Sequence, residues 1–286
     1  MRRLPTIPHM DIRSIEFRGQ PALHAVAADG STLTVALHGA QVLSWAPARG
    51  GERLYLSPKA VFDGQTAIRG GIPLCCPQFN QRGMLPKHGF MRNLPWIREE
   101  SGAPDTLRLV LRDNDATRRL WPHAFEARMD ATLAAGRLRT ALTLANTGDV
   151  PWPFSAALHT YLRVDDIAAV RLEGLQGAAR WDAVRDVRQT ETAAALQFDA
   201  EFDSVYTAPA QPLRLVQPGG TLEITQSETC TETVVWNPGA VLGATLADMP
   251  AEGFRHMLCV EAARIDEPVV LAPGAQWQGW QQLCVL

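Results

Sequence analysis

Apolar and polar residues alternate with a period of two through much of the chain. In "STLTVALHG" the alternation puts Leu33, Val35 and Leu37 on one face, and in "RLRTALTLANTGD" it does the same for Leu138, Thr140, Leu142 and Leu144. Successive side chains of a β-strand point to opposite faces, so this pattern predicts strands. The segments "TLRLVLRD", "FEARMDATL", "AALHTYLRV", "TLEITQ", "ETVVWN", "MLCVEAA" and "QWQGWQQLCVL" read the same way. Turn formers separate them, among them Asn146-Thr147-Gly148-Asp149, Gly219-Gly220 and Pro273-Gly274. Helical periodicity is nearly absent, and "AEGFRHM" suits at most a single turn. Many short strands without a strand–helix rhythm predict an all-β protein, a large antiparallel sandwich or barrel. No linker, low-complexity run or repeat divides the sequence, so residues 1–286 are expected to form one domain.

Composition narrows the function classes. The 286 residues are 46% hydrophobic, ample for a core. A net charge of −3 and a pI near 6.2 argue against nucleic acid as a partner, since that affinity rests on many phosphate contacts from Lys and Arg. Any anion site must be local. No apolar run reaches membrane-spanning length, and "MRRLPTIPHM" has two arginines without an apolar segment behind them, so no membrane contact and a cytoplasmic location are expected. The five cysteines (Cys75, Cys76, Cys230, Cys259, Cys284) form no CxxC pair and suggest reduced thiols, mostly buried, rather than disulfides or a zinc ribbon. Oligomeric state is left open, a monomer being compatible.

Two strands carry ionisable residues where the alternation calls for a decision. In "SAALHTYLRV", Ala157, His159, Tyr161 and Arg163 share one face, and Leu158, Thr160, Leu162 and Val164 share the other. The aliphatic face belongs to the core, which leaves His159 opening with Tyr161 onto a polar surface, the setting of a proton donor; a satisfied structural histidine is the plainer alternative. In "HMLCVEAAR", Glu261 follows Met257 and Cys259 on one face. Burial raises a carboxyl pKa toward the range of a general base, unless Arg255 or Arg264 pairs with it. The sequence contains no G-x-S-x-G elbow, H-E-x-x-H, G-x-G-x-x-G or Walker loop, so neither metal nor cofactor is expected. The acidic stretches "RVDD" and "FDAEFDSVY" are most simply solvated strand ends.

The stretch "RGGIPLCCPQFNQRGMLPKHGFMRNLPW", residues 69–96, is rich in Gly and Pro and carries Arg69, Lys87, His88 and Arg92. Gly supplies positive φ and Pro fixes φ near −65°, so it reads as a long, stiff surface loop. Such loops concentrate binding residues and lose little entropy on clamping a ligand.

The segments "RGGIPLCCPQF", "LPKHGFMRNLPW", "ALHTYLRV", "EFDSVY" and "CVEAAR" resemble, in order and spacing, the aldose 1-epimerase (mutarotase) superfamily, most closely its glucose-6-phosphate 1-epimerase branch. The resemblance implies a β-supersandwich of the galactose mutarotase-like type that interconverts the anomers of a hexose 6-phosphate without metal or cofactor. It implies His159 and Glu261 as the catalytic pair, Arg69 and Arg92 on the phosphate, His88 on the sugar, and Asp203 on its hydroxyls. Two positions depart from the family pattern: Lys87, a further cation before the loop histidine, and Cys76, where many relatives carry an aromatic residue. The alternatives are a mutarotase for a neutral or differently substituted aldose, and a non-catalytic carbohydrate-binding sandwich.

Overall fold

The computed structural model describes residues 10–286, so the reading of the leader-like arginines in "MRRLPTIPHM" lies outside the described residues apart from Met10. Three sheets are present, and every ladder between their strands is antiparallel. A four-stranded meander covers Asp11–Phe17, Gln20–Val26, Thr32–Ala36 and Val42–Ala46. A nine-stranded sheet has Gln276–Val285 near its centre, between Gly220–Gln226 and Arg137–Asn146. An eight-stranded sheet is ordered Val187–Thr190, Ala179–Asp182, Phe202–Thr207, Glu232–Asn237, Met257–Leu271, Trp152–Leu158 and Leu74–Cys75, with Tyr161–Arg163 also paired to Met257–Leu271.

The two large sheets share one core. Leu158, Leu162, Leu258 and Val260 from the eight-stranded sheet join Met129, Leu142, Leu144 and Leu283 from the nine-stranded sheet in a single buried cluster. This is the β-sandwich expected from the alternation. The opposite face of the eight-stranded sheet carries smaller apolar clusters, one with Ala157, Val205 and Val234, another with Tyr161, Met257 and Cys259. Odd and even positions of both key strands therefore separate as the period of two requires.

Three expectations need correction. The "AALHTYLRV" strand is not continuous: Leu158 pairs with Ala262 and Tyr161 with Cys259, but His159 and Thr160 fall between the two ladders. There the N–H of His159 donates to the carbonyl of Pro73, and the Thr160 hydroxyl donates to Gln281 of the facing sheet. The segment 69–96 is not a surface loop throughout. Residues 70–79 and 88–91 are buried, and only the 80–87 stretch is mostly exposed. Glycine explains how backbone enters so tightly: Gly71 has φ +62° and a Cβ there would meet the carbonyl oxygen of Val42 at 2.0 Å. Finally, helices occur at Asp115–Leu120 and Gly239–Thr245, too short for their periodicity to be read.

Candidate active site

The outer face of the eight-stranded sheet bears a cavity of about 240 Å³, room for one small molecule rather than a polymer. Its floor comes from adjacent strands. Glu261 stands opposite Val234, and Asp203 opposite Trp236 on the next ladder. The break at His159 and Thr160 leaves the His159 ring beside Glu261, with Nδ1 3.3 Å from Oε1. His159 stacks on Tyr161 at 4.9 Å with the planes 9° apart, and Trp236 meets it edge-on. Two strands remote in sequence thus place an imidazole and a carboxyl in contact.

Both groups are buried, Glu261 to 1% exposure. Arg255 and Arg264, the partners considered for Glu261, pair instead with Asp166 and Glu252, and with Glu267. His159 Nδ1 and Glu261 Oε2 have no hydrogen-bond partner among the described residues. Burial pushes the His159 imidazolium well below its ordinary range, reinforced by His88, Arg92 and Arg69. Burial, with the nearby Asp203 charge, pushes the Glu261 carboxyl well up. Desolvation disfavours both charged forms, so the pair rests neutral, with its one proton on Glu261.

His88 is buried in a left-handed conformation at φ +66°, and its ring packs edge-on to His159 at 5.4 Å. The backbone N–H of Asn80 donates to its Nδ1 at 3.3 Å. An accepting Nδ1 assigns the proton to Nε2 in the neutral ring. Burial and the charges of Arg92, Lys87 and Arg69 push its pKa down to about 3, so His88 is a neutral donor at physiological pH. Asp203 is pushed up to about 6 by burial and Glu201, against the pull of Lys87 and Arg82. Far from being a solvated strand end, it lines the cavity with Glu201.

The cations divide. Arg69 lines the cavity, its Nε donating to Asp248 at 3.1 Å and its Nη1 to the Tyr161 hydroxyl at 3.0 Å. Lys87, exposed, lines it as well. Arg92 is not among the lining residues: it lies on the short turn Met91–Asn93, and its Nη2 donates to the carbonyl of Lys87 at 3.0 Å. Arg82 also stands on the wall, held by the carbonyl of Ile265 and by Asp266 and lying over Trp181 at 5.1 Å. Arg82, Trp181, Trp236 and the tether Asp248 were missed. Only Trp236 had a readable signal, since the period of two in "ETVVWN" places it on the face of Val234. Cys76 is wholly buried in the main core, not on the cavity wall. His159, Cys259 and Glu261 also offer ligand atoms within 4.8 Å of one another, a constellation invisible to local spacing because it joins two strands.

The chain belongs to the aldose 1-epimerase family, whose model matches residues 22–284. Among curated proteins it is 36% identical over 257 residues to one from Cenchrus ciliaris, covering 85% of this chain and 78% of that protein. It is 35% identical over 241 residues to one from Escherichia coli K12, covering 81% and 79%. Both are provisionally named glucose-6-phosphate 1-epimerase. The crystal structure of YeaD from Salmonella typhimurium, provisionally assigned as a mutarotase, superposes with a TM-score of 0.85 at 28% identity over 97% of this chain and 93% of that one.

Proposed function

We propose that this carbohydrate epimerase interconverts the α and β anomers of a hexose 6-phosphate, glucose 6-phosphate foremost, in the cytoplasm. The observation that carries the reading is the His159–Glu261 contact on the floor of a cavity whose wall also holds Arg69, Arg82 and Lys87. The pair supplies the acid and base of ring opening, and the cations match a phosphate.

The pair holds one proton throughout. In the empty cavity it rests on Glu261; a phosphate dianion near the cations favours the charge-separated form, and the proton passes to His159 Nδ1. His159 then donates from Nε2 to the ring oxygen O5 while the Glu261 carboxylate takes the proton of the O1 hydroxyl. The C1–O5 bond breaks and the open aldehyde forms. Rotation about C1–C2 presents the other carbonyl face; O5 attacks C1, its proton returns to His159, and Glu261 returns a proton to O1. His88 donates to a sugar hydroxyl and Asp203 accepts from others, with Trp236 against the ring. The scheme uses no covalent intermediate, metal or cofactor.

A mutarotase for neutral aldoses is the second reading, favoured by Arg69 being tied to Asp248 and by the position of Arg92. Magnetisation exchange between anomers, followed by NMR, separates the two. Glucose 6-phosphate exchanging far faster than glucose with the protein present supports the phosphate reading. Equal enhancement of both sugars selects the neutral one, and no enhancement of any aldose removes the acid–base scheme.

A further inference from the structure

His159 and Glu261 form a pair that the proposed reaction uses, but Cys259 beside them has no part in it. Cys259 is two residues before Glu261 on the same face of the strand Met257–Leu271, wholly buried, and directly opposite Tyr161. One imidazole nitrogen, one carboxylate oxygen and one thiol sulfur therefore converge within 4.8 Å. On these same side chains, His159 Nδ1 and Glu261 Oε2 are buried without hydrogen-bond partners among the described residues. Both residues line the cavity, which gives an ion a way in.

We propose that His159, Cys259 and Glu261 bind a thiophilic divalent cation of the zinc class, and that its occupancy switches the enzyme off. The donor set is the nitrogen, sulfur and oxygen mixture that zinc takes with a fourth position open. Around a tetrahedral ion with bonds of about 2.0–2.3 Å, neighbouring donors lie about 3.3–3.8 Å apart. The imidazole and carboxyl are already at that separation, and the Cys259 sulfur, within 4.8 Å of both, has about 1 Å left to close. Charge balances as well. The ion enters as the shared proton of the pair and the thiol proton leave to solvent, so one carboxylate, one thiolate and a dication make a neutral buried centre.

Binding stands on the geometry alone; inhibition rests on the acid–base reading, because the ion removes the proton that the pair must move. The sulfur distinguishes this site from a plain active-site chelate and provides its signature. Titration of the full chain with Co²⁺, without substrate, is expected to give a thiolate-to-cobalt charge-transfer absorption that Zn²⁺ displaces. Cys259→Ser should abolish the band, and His159→Asn, a second variant in case the first fails to fold, should weaken cobalt binding by about 10-fold or more. In turnover, Zn²⁺ should inhibit the wild type reversibly, with EDTA restoring it, and Cys259→Ser should require at least about 10-fold more zinc relative to its own metal-free rate. Absence of the band, or its persistence in Cys259→Ser, overturns the site. A band accompanied by zinc activation keeps the site and overturns the inhibition. Because the absorption needs no substrate, it reads the site even where epimerase activity proves absent.

Discussion

Glu191, just past the edge strand Val187–Thr190, and Glu261, on the strand Met257–Leu271, are buried in opposite ways. Glu191, at 5% exposure, receives the N–H of Ala193, the Tyr206 hydroxyl and Arg180, which also reaches Asp182 and Ser204. Burial alone would raise its pKa, but those donors outweigh it and hold the carboxyl below its usual range. Glu261, at 1% exposure, meets only an imidazole, keeps one oxygen unpartnered, and is pushed well up. Similar burial with opposite satisfaction separates a carboxyl fully tied into the fold from one left under-satisfied, as the proposed proton exchange requires.

The sharpest way to break this comparison is to neutralise each carboxyl. Glu261→Gln is expected to lower kcat by about 10²- to 10⁴-fold, as is His159→Asn, while Glu191→Gln leaves kcat nearly unchanged. Stability should move the other way. An unfolded Glu ionises near 4.5, whereas folded Glu261 keeps its proton to higher pH, so the wild type loses stability as pH rises through that window. Glu261→Gln removes the penalty and should raise the urea midpoint at pH 7.5, whereas Glu191→Gln should lower it. A Glu261→Gln protein of full activity, or one less stable than wild type, contradicts the contrast.

Truncating the cation of the satisfied cluster comes next. Arg180→Met strands Glu191 and Asp182 and should cost about 3–5 kcal/mol in equilibrium unfolding. A loss under 1 kcal/mol would make that cluster ordinary surface chemistry.

Substrate charge gives a smaller effect. Arg82→Ala should reduce kcat/KM for glucose 6-phosphate by about 10-fold or more while nearly sparing glucose, since charge-assisted hydrogen bonds are worth roughly 1.5–3 kcal/mol. Arg69→Ala should lose at least as much, Lys87→Ala only a few-fold, and Arg92→Ala less than Arg69→Ala. Equal losses on both sugars would favour the neutral-aldose reading.

A further test lies in acid. Folded His88 titrates near 3 and the unfolded residue near 6.5, so the unfolded chain takes up protons first as pH falls. Stability should therefore decline between about pH 6.5 and 3, by up to about 1.4 kcal/mol per pH unit for this residue. Comparing wild type with His88→Gln at pH 7 and 5 checks it; identical slopes would mean that His88 is not held neutral.

Much of this was legible because β-structure writes itself with a period of two. Glu261 stood out as a carboxyl in an apolar strand and His159 as an ionisable group opposite an aliphatic face, and the strand Arg137–Asn146 followed from its own alternation. What stayed hidden depends on register. Asp203 beside Trp236, and Glu261 near His159, are pairings between segments that no single segment encodes. The strand Val187–Thr190 is exposed at every position and so carries no alternation. The burial of residues 70–79 follows from backbone approaches at glycine, which look identical in sequence to surface turns.

The strand Met257–Leu271 lies between Glu232–Asn237 and Trp152–Leu158, a position with a kinetic consequence. Joining it to Trp152–Leu158 closes a loop of about a hundred residues, and that entropy is lost before the contacts repay it. Local hairpins such as Phe125–Ala134 with Arg137–Asn146 can zip early, but the His159–Glu261 contact exists only after the slow insertion. Refolding chains should regain most of their far-ultraviolet circular dichroism before any turnover, and partly folded species will expose the flanks of the central sheet to aggregation.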